Sequence, residues 1–260
     1  MNAPPRMAGR IALITGGAGG IGAAAGGLFC AHGAKVLLVD RDGEALQRTA
    51  AEIRHQVPGA TLEVYGADVA NPQQAAGAVR QAVARFGALN VLVSNAAVRY
   101  LDAVADADPA AWHEVLSVNL MGAVNFSKAA LPQLRKQRGA SVVIVSSTYA
   151  MTGRKRFGAY DASKAALLSL MRTLAAEEAG HGIRVNAVCP GGTLTPFTIG
   201  RGRARGASED ELRGEAKADT LLKRWAEAKE IAWPILWLAS EEASFVTGAA
   251  LMVDGGMPAP

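Results

Sequence analysis

Cysteine is nearly absent from this sequence. Cys30 and Cys189 are the two in 260 residues, each beside apolar neighbours, which excludes a disulfide framework and a four-ligand zinc site and fits a reducing compartment. Histidine is equally sparse: His32, His55, His113 and His181 are scattered without metal-ligand spacing, so no metal is expected. No Gly-x-Ser-x-Gly segment occurs, which removes the serine-hydrolase elbow. Blocks of like charge are missing too. Twenty-seven Lys and Arg against twenty-three Asp and Glu leave a net +4, too evenly spread for a nucleic-acid footprint, and the brief Arg/Gly alternation near 201–206 is too short for an RNA tail. One uncharged stretch, 11–31, is long enough to span a bilayer, but its seven glycines make a poor lipid-facing helix and a good tight turn. The N-terminal segment lacks a long apolar run and carries Pro4-Pro5, which argues against export and for a cytoplasmic protein with no membrane partner.

Half of the residues are hydrophobic and 19% are charged, enough apolar surface for one large core. Short β-branched or Leu-rich runs alternate with longer Ala-rich segments, the pattern of βαβ units feeding a parallel sheet buried on both faces. Strands are expected over 11–15, 35–40, 61–67, 89–95, 141–147, 183–189 and 249–253, and helices over 20–32, 43–56, 72–86, 109–138, 157–180 and 226–239. Asp108 before Pro109 reads as an N-cap followed by proline at the first helical position. Seven strands imply an α/β fold: one doubly wound, Rossmann-type domain over 1–260 with helices on both faces. No linker or repeat divides it. The segment 191–223, rich in Gly, Arg, Thr and Glu, is long enough to act as a lid over a site.

The first strand runs into Thr15-Gly16-Gly17-Ala18-Gly19-Gly20-Ile21-Gly22 and then a helix, so backbone N–H groups and the positive helix end converge where a pyrophosphate would lie. Eighteen residues after Gly22, Asp40 ends the second strand, where a carboxylate accepts bonds from ribose hydroxyls. A 2′-phosphate there would meet a like charge at a cost of roughly 4 kcal/mol at about 4 Å and an effective dielectric near 20, which favours NAD over NADP; Arg41 is the residue that would compete. Tyr160 and Lys164, spaced i,i+4, put a phenol and an ammonium on one helix face, with Ser147 at the carboxyl end of the fifth strand. A tyrosine acting as general base must ionise about three units below its free pKa of ~10, which asks its surroundings for roughly 4 kcal/mol. Lys164 and an oxidised nicotinamide would supply it, while Ser147 holds the substrate oxygen.

From residue 10 to about 256, these features resemble the classical short-chain dehydrogenase/reductase family. The resemblance implies that Gly16, Gly20, Ile21 and Gly22 belong to its TGxxxGxG turn and that Asp68-Val69 flank an adenine. It implies that Asn95 stands in an Asn-Asn-Ala-Gly-like element, from which Ser94 and Ala97 depart. It also implies a catalytic set of Asn119, Ser147, Tyr160 and Lys164, with Asn119 holding a water that relays protons from the lysine. Pro190-Gly191 with Thr193 and Thr195 corresponds to the nicotinamide-carboxamide segment, and Val253-Asp254-Gly255-Gly256 to the C-terminal signature. The family commonly forms homotetramers through its long fourth and fifth helices and its last strands; Trp233 and Trp237 lie near the latter.

Arginines border the expected pocket: Arg99 after Asn95, Arg154 and Arg156 shortly before Tyr160, and Arg201, Arg203 and Arg205 in the lid. Arginine forks hold carboxylates and phosphates, so a small anionic substrate is expected, with Arg99, Ser147, Arg154, Arg156 and Tyr160 as its contacts. The sequence therefore reads as an NAD-dependent secondary-alcohol dehydrogenase of a small polyhydroxylated substrate, such as a deoxy-sugar acid. The alternatives are a neutral sugar or polyol dehydrogenase, a 3-oxoacyl thioester reductase, and a non-catalytic dinucleotide sensor. The intact proton-relay residues argue against the last.

Overall fold

The alternating apolar runs form a seven-stranded parallel sheet with helices on both faces. The structure is a computed structural model and describes residues 5–203, 206, 208–214 and 220–257. In chain order its elements are β1 (Ile11–Thr15), α1 (Gly20–Ala31), β2 (Lys35–Asp40), α2 (Gly43–Gln56), β3 (Leu62–Gly66), α3 (Pro72–Phe86) and β4 (Val91–Ser94). There follow α4 (Pro109–Val115), a π-helical turn (Leu116–Met121), α5 (Gly122–Leu134), β5 (Ser141–Val145), α6 (Gly158–Glu178) and β6 (Arg184–Pro190). The chain continues through β7 (Thr193–Leu194), α7 (Pro196–Arg203), α8 (Glu209–Gly214), β8 (Ala226–Glu227), α9 (Ala228–Ala239) and β9 (Ala250–Val253).

The sheet order is β3-β2-β1-β4-β5-β6-β9, with β7 and β8 forming a separate short pair. Every pairing is parallel, and β1, β5 and β6 are buried along their whole length. Alternation within a strand divides the core. Ile11 and Leu13 face α3, α5 and α6, whereas Ala12 and Ile14 face α1, α2 and α9. Chain order reverses between β1 and β4, so the loops leaving their carboxyl ends diverge and open a crevice, the place where open α/β sheets hold ligands.

Three elements differ from expectation. The helix expected over 109–138 is divided by the π-turn and ends at Leu134, because a side chain within that turn is pinned from outside the helix, as shown below. The fifth strand stops at Val145, and Ser147 instead N-caps a short turn, accepting a bond from the Tyr149 N–H at 3.2 Å. The segment expected as an irregular lid contains α7 and α8. Thr195 accepts from the Thr198 N–H at 3.3 Å with Pro196 opening α7, and Ser208 and Glu211 bond reciprocally at the start of α8. The chain before β8 is stapled to the C-terminal turn through the Leu221 N–H to the Gly256 carbonyl, 3.1 Å, and the Leu222 N–H to the Gly255 carbonyl, 3.0 Å. Arg205 lies outside the described residues. Among the described residues no helix is long and apolar enough to cross a membrane.

The start of α1 is packed against its own glycine turn. A Cβ on Gly22 would stand 2.1 Å from the Gly16 carbonyl oxygen and 2.8 Å from Asn95 Nδ2. Both neighbours are fixed, so Gly22→Ala is expected to lower unfolding free energy by about 3 kcal/mol, at the upper part of the usual overpacking range. Denaturant unfolding measures this, and wild-type stability would show that the turn yields.

Candidate active site

A cleft of about 790 Å³ opens at the carboxyl edge of β1, β4, β5 and β6. The glycine turn forms one wall. Gly16 has φ +67°, and a Cβ there would meet Asn95 Nδ2 at 2.6 Å. Asn95 does the shaping: its Nδ2 donates to the carbonyls of Thr15 at 3.0 Å and Gly16 at 3.2 Å, while Thr15 Oγ1 accepts from the N–H groups of Asn95 and Ala96. The first turn of α1 has neither a side-chain cap nor an acidic residue, leaving its N–H groups for an external anion. Across it lies the start of the lid, with Thr195 side-chain atoms 3.2 Å from where a Gly20 Cβ would be.

Asp40 lines the same wall. Its carboxylate accepts from the Ala18 N–H at 3.1 Å and the Asp42 N–H at 3.2 Å, which fixes its direction and leaves acceptor capacity for hydroxyl groups. Arg41 is turned outward, largely exposed and 3.8 Å from Glu114.

The opposite wall holds Ser147, Tyr160 and Lys164. Both Ser147 and Lys164 bear on the Tyr160 phenol. Burial pushes the Tyr160 phenol up from its ordinary value; Arg99 and Arg154 pull it back by charge, Asp161 pushes it further up, and Ser147 pulls it down. Lys164 is 2% exposed, its Nζ donates to the Val145 carbonyl at 2.8 Å, and it lies 5.6 Å from the Tyr160 ring centre. Burial lowers its pKa to about 8.

Asn119 stands behind this wall, on the π-turn. Its Oδ1 accepts from the Val98 N–H at 2.8 Å, and its Nδ2 donates to the Val98 carbonyl at 3.0 Å and to Ser163 Oγ at 2.9 Å. Ser163 in turn donates to the Tyr160 carbonyl at 2.7 Å. The amide thus braces the loop after β4 against the helix that carries Tyr160.

The cleft brings together Gly16, Gly20, Ile21, Asp40, Asn95, Arg99, Ser147, Arg154, Tyr160, Lys164, Pro190, Gly191, Thr193 and Thr195. It does not include Gly22, which packs beneath the turn, or Arg41. Asp68 is exposed and accepts from the Ala70 N–H, while Val69 is buried against Gly122, so neither lines the cleft. Arg156 also departs from expectation. Its backbone takes φ +69° and its guanidinium donates to the Leu101 carbonyl at 3.0 Å, aiming it at a separate small pocket. Arg154 lines the cleft with its fork occupied by Asp161. Residues not singled out from the sequence also form the wall, among them Tyr149, Phe157, Leu212 and Trp225. The Ser208-x-x-Glu211 capping pattern was the available signal for the α8 segment; nothing local marks the aromatic residues.

The sequence profile of the family described as enoyl-(acyl carrier protein) reductase matches residues 16–258. The 2-(S)-hydroxypropyl-CoM dehydrogenase 3 of Xanthobacter autotrophicus is 37% identical over 254 residues, covering 98% of each chain. The trans-4-hydroxycyclohexanecarboxylate dehydrogenase of Sinomonas cyclohexanicum is 37% identical over 255 residues, covering 96% of this chain and 93% of the relative. Among solved structures, L-sorbose reductase from Gluconobacter frateurii, complexed with NADPH and L-sorbose, superposes with a TM-score of 0.92 at 30% identity, covering 98% of each chain. The chain belongs to the short-chain dehydrogenase/reductase family, oxidoreductases that act on CH–OH groups and bind a nicotinamide dinucleotide.

Proposed function

We propose that this enzyme is an NAD-dependent dehydrogenase of a secondary alcohol in a small hydroxylated substrate that carries a carboxylate. The observation that carries the reading is the convergence, in one cleft, of Ser147, Tyr160 and buried Lys164 with the uncapped start of α1 and the anchored Asp40 carboxylate. Asp40 supports NAD, since a 2′-phosphate would crowd a carboxylate that two backbone N–H groups hold in place. The relative from Gluconobacter was solved with NADPH, so the NAD reading is drawn from Asp40 and not from that relative.

When bound, a nicotinamide dinucleotide supplies the carbon that exchanges hydride and, when oxidised, a positive ring. The glycine turn and the N-terminus of α1 hold its phosphates, Asp40 its adenosine ribose, and the 190–195 segment its amide end. Ser147 Oγ holds the substrate oxygen, and Tyr160 Oη takes the hydroxyl proton in oxidation or returns it in reduction. The phenol's burial opposes ionisation, so nearby cations must offset it, and Arg99 is the first of them. Asn119 steadies both walls. Gly191, Thr193, Thr195, Leu212 and Trp225 border the cleft and would help keep water from the reacting atoms; a cytoplasmic homotetramer is the assembly that the family resemblance implies.

The carboxylate is assigned to Arg99, which lines the cleft and acts on Tyr160. The Sinomonas relative is named for a hydroxy-carboxylate substrate. One observation favours the second reading, a neutral polyol or cyclic alcohol: Arg154 is already paired with Asp161 and adds little net charge to the rim.

Turnover with NAD is expected to exceed turnover with NADP on any accepted alcohol; the reverse preference would refute the role given to Asp40. Tyr160→Phe should lower kcat by about a thousandfold or more while NAD binding, followed by fluorescence, stays near wild type. Arg99→Gln should raise KM about tenfold or more for hydroxy acids with little change in KM for neutral alcohols, while kcat near neutral pH falls for both because the Tyr160 phenol loses that cation; equal changes in KM would decide for the neutral substrate. Lys164→Met should abolish turnover and yet stabilise the fold near neutral pH. Its ammonium costs folding free energy below about pH 8, and that cost fades as the pH rises toward the ordinary value of 10.5. The expected gain is about 2 kcal/mol, the pKa depression less about 1 for the Val145 carbonyl left without a donor, and in strongly alkaline buffer it should turn into a loss of about 1 kcal/mol.

A further inference from the structure

Arg154 is gripped from three sides. One nitrogen donates to Asp161 Oδ2 at 3.2 Å and a second to Oδ1, a two-point fork on a carboxylate of a residue that is 8% exposed. Its guanidinium carbon lies 3.4 Å from the ring centre of Tyr149 and 3.8 Å from that of Phe157, and 5.7 Å from that of Tyr160. These partners come from different segments. Tyr149 belongs to the turn capped by Ser147, Phe157 is the N-cap residue of α6, and Asp161 sits in that helix's first turn directly after Tyr160. One planar cation therefore ties the segment carrying Ser147 to the segment carrying Tyr160. Its fork and two close ring contacts are already engaged, so a substrate carboxylate would have to displace Asp161 to bind it.

We propose that Arg154 is a positioning residue of the dehydrogenase reaction: with Asp161 it forms a nearly neutral ion pair, stacked on Tyr149 and Phe157, that locks Ser147 against Tyr160 and sets the charge felt by the Tyr160 phenol. This rests on Tyr160 being the base. The groups that face that phenol are Arg99 from the loop after β4, Ser147 from the end of β5, Lys164 one turn along α6, and the Arg154–Asp161 pair itself. Within the pair the two members act on Tyr160 in opposite senses, Arg154 favouring the phenolate and Asp161 opposing it.

The test is the pH dependence of kcat for alcohol oxidation by the full-length enzyme at saturating NAD. Oxidation requires the phenolate, so the rate falls on the acid side of the Tyr160 ionisation. Arg154→Met leaves Asp161 uncompensated and should move the acid limb up by about one pH unit; Asp161→Asn leaves the cation and should move it down by a similar amount. The double variant should return the limb close to its wild-type place while kcat stays reduced, because the clamp is gone. Arg154→Lys keeps the charge without the stacked fork, and should restore the limb but not the full kcat.

Superimposable profiles for the single variants would overturn the proposal. So would an increase in KM confined to anionic substrates after Arg154→Met, which would make Arg154 a substrate clamp. Should Arg154→Met fail to fold, Asp161→Asn decides alone by the direction of its shift. Residual wild-type activity in Tyr160→Phe would instead remove the base itself, a failure separate from that of the ion pair.

Discussion

The seating of α6 on the end of β5 is the interaction on which the rest of the site depends. Lys164 reaches down from the helix and donates to the Val145 carbonyl, while Ser146 Oγ, on the residue after that carbonyl, donates to the carbonyl of Lys164. The two bonds cross between the same pair of segments, both buried, and so fix the helix in height and rotation. Tyr160, one turn earlier on the same face, is thereby held against Ser147 at the strand's end. The unsatisfied alternative is costly at every point, because each carbonyl and hydroxyl involved lies away from water. An ordinary apolar contact would have left the helix free to slide by fractions of an ångström; crossed polar bonds do not.

The same logic recurs at the π-turn. Asn119 satisfies both backbone groups of Val98 and then Ser163, binding the loop after β4 to α6. A regular helix would carry that side chain past its partners, and the wider turn is the local deformation that keeps it in place. The cofactor half and the reaction half of the cleft are thus braced by side chains that do not line it. Asn95 performs the corresponding service on the other side, joining the glycine turn to the end of β4.

What could be read from the sequence was what depends on local chemistry. The central strands β1, β4, β5 and β6 announced themselves because both of their faces are buried, and α2 and α3 matched to the residue, with Asp42 and Asn71 capping them and Pro72 opening α3. The glycine turn, Asp40 and the Tyr160–Lys164 spacing were equally visible. The π-turn was not, since its cause is a backbone 21 residues away in the chain. The lid helices were obscured by glycine and arginine, although Thr195-Pro196 and Ser208-x-x-Glu211 carried start signals. Arginine side chains were the hardest to assign. Charge is visible in a sequence but its direction is not, and the left-handed backbone at Arg156 turns toward Leu101 a side chain that sequence proximity had put beside the substrate.

That difficulty has a physical basis in how the two halves of the cleft are built. The cofactor side is made largely of backbone at strand ends and a helix start, which tolerates many sequences as long as the glycines remain. The opposite wall is made of side chains such as Arg99 from the loop after β4, Tyr149, Arg154 and Phe157 from the 147–157 segment, and Leu212 and Trp225, and the orientations of Tyr149, Arg154 and Phe157 depend on one another. Relatives of nearly equal identity accordingly bear the names of different alcohols on one scaffold. A cation matched by Asp161 and covered by Tyr149 and Phe157 keeps its geometric hold while surrendering most of its field.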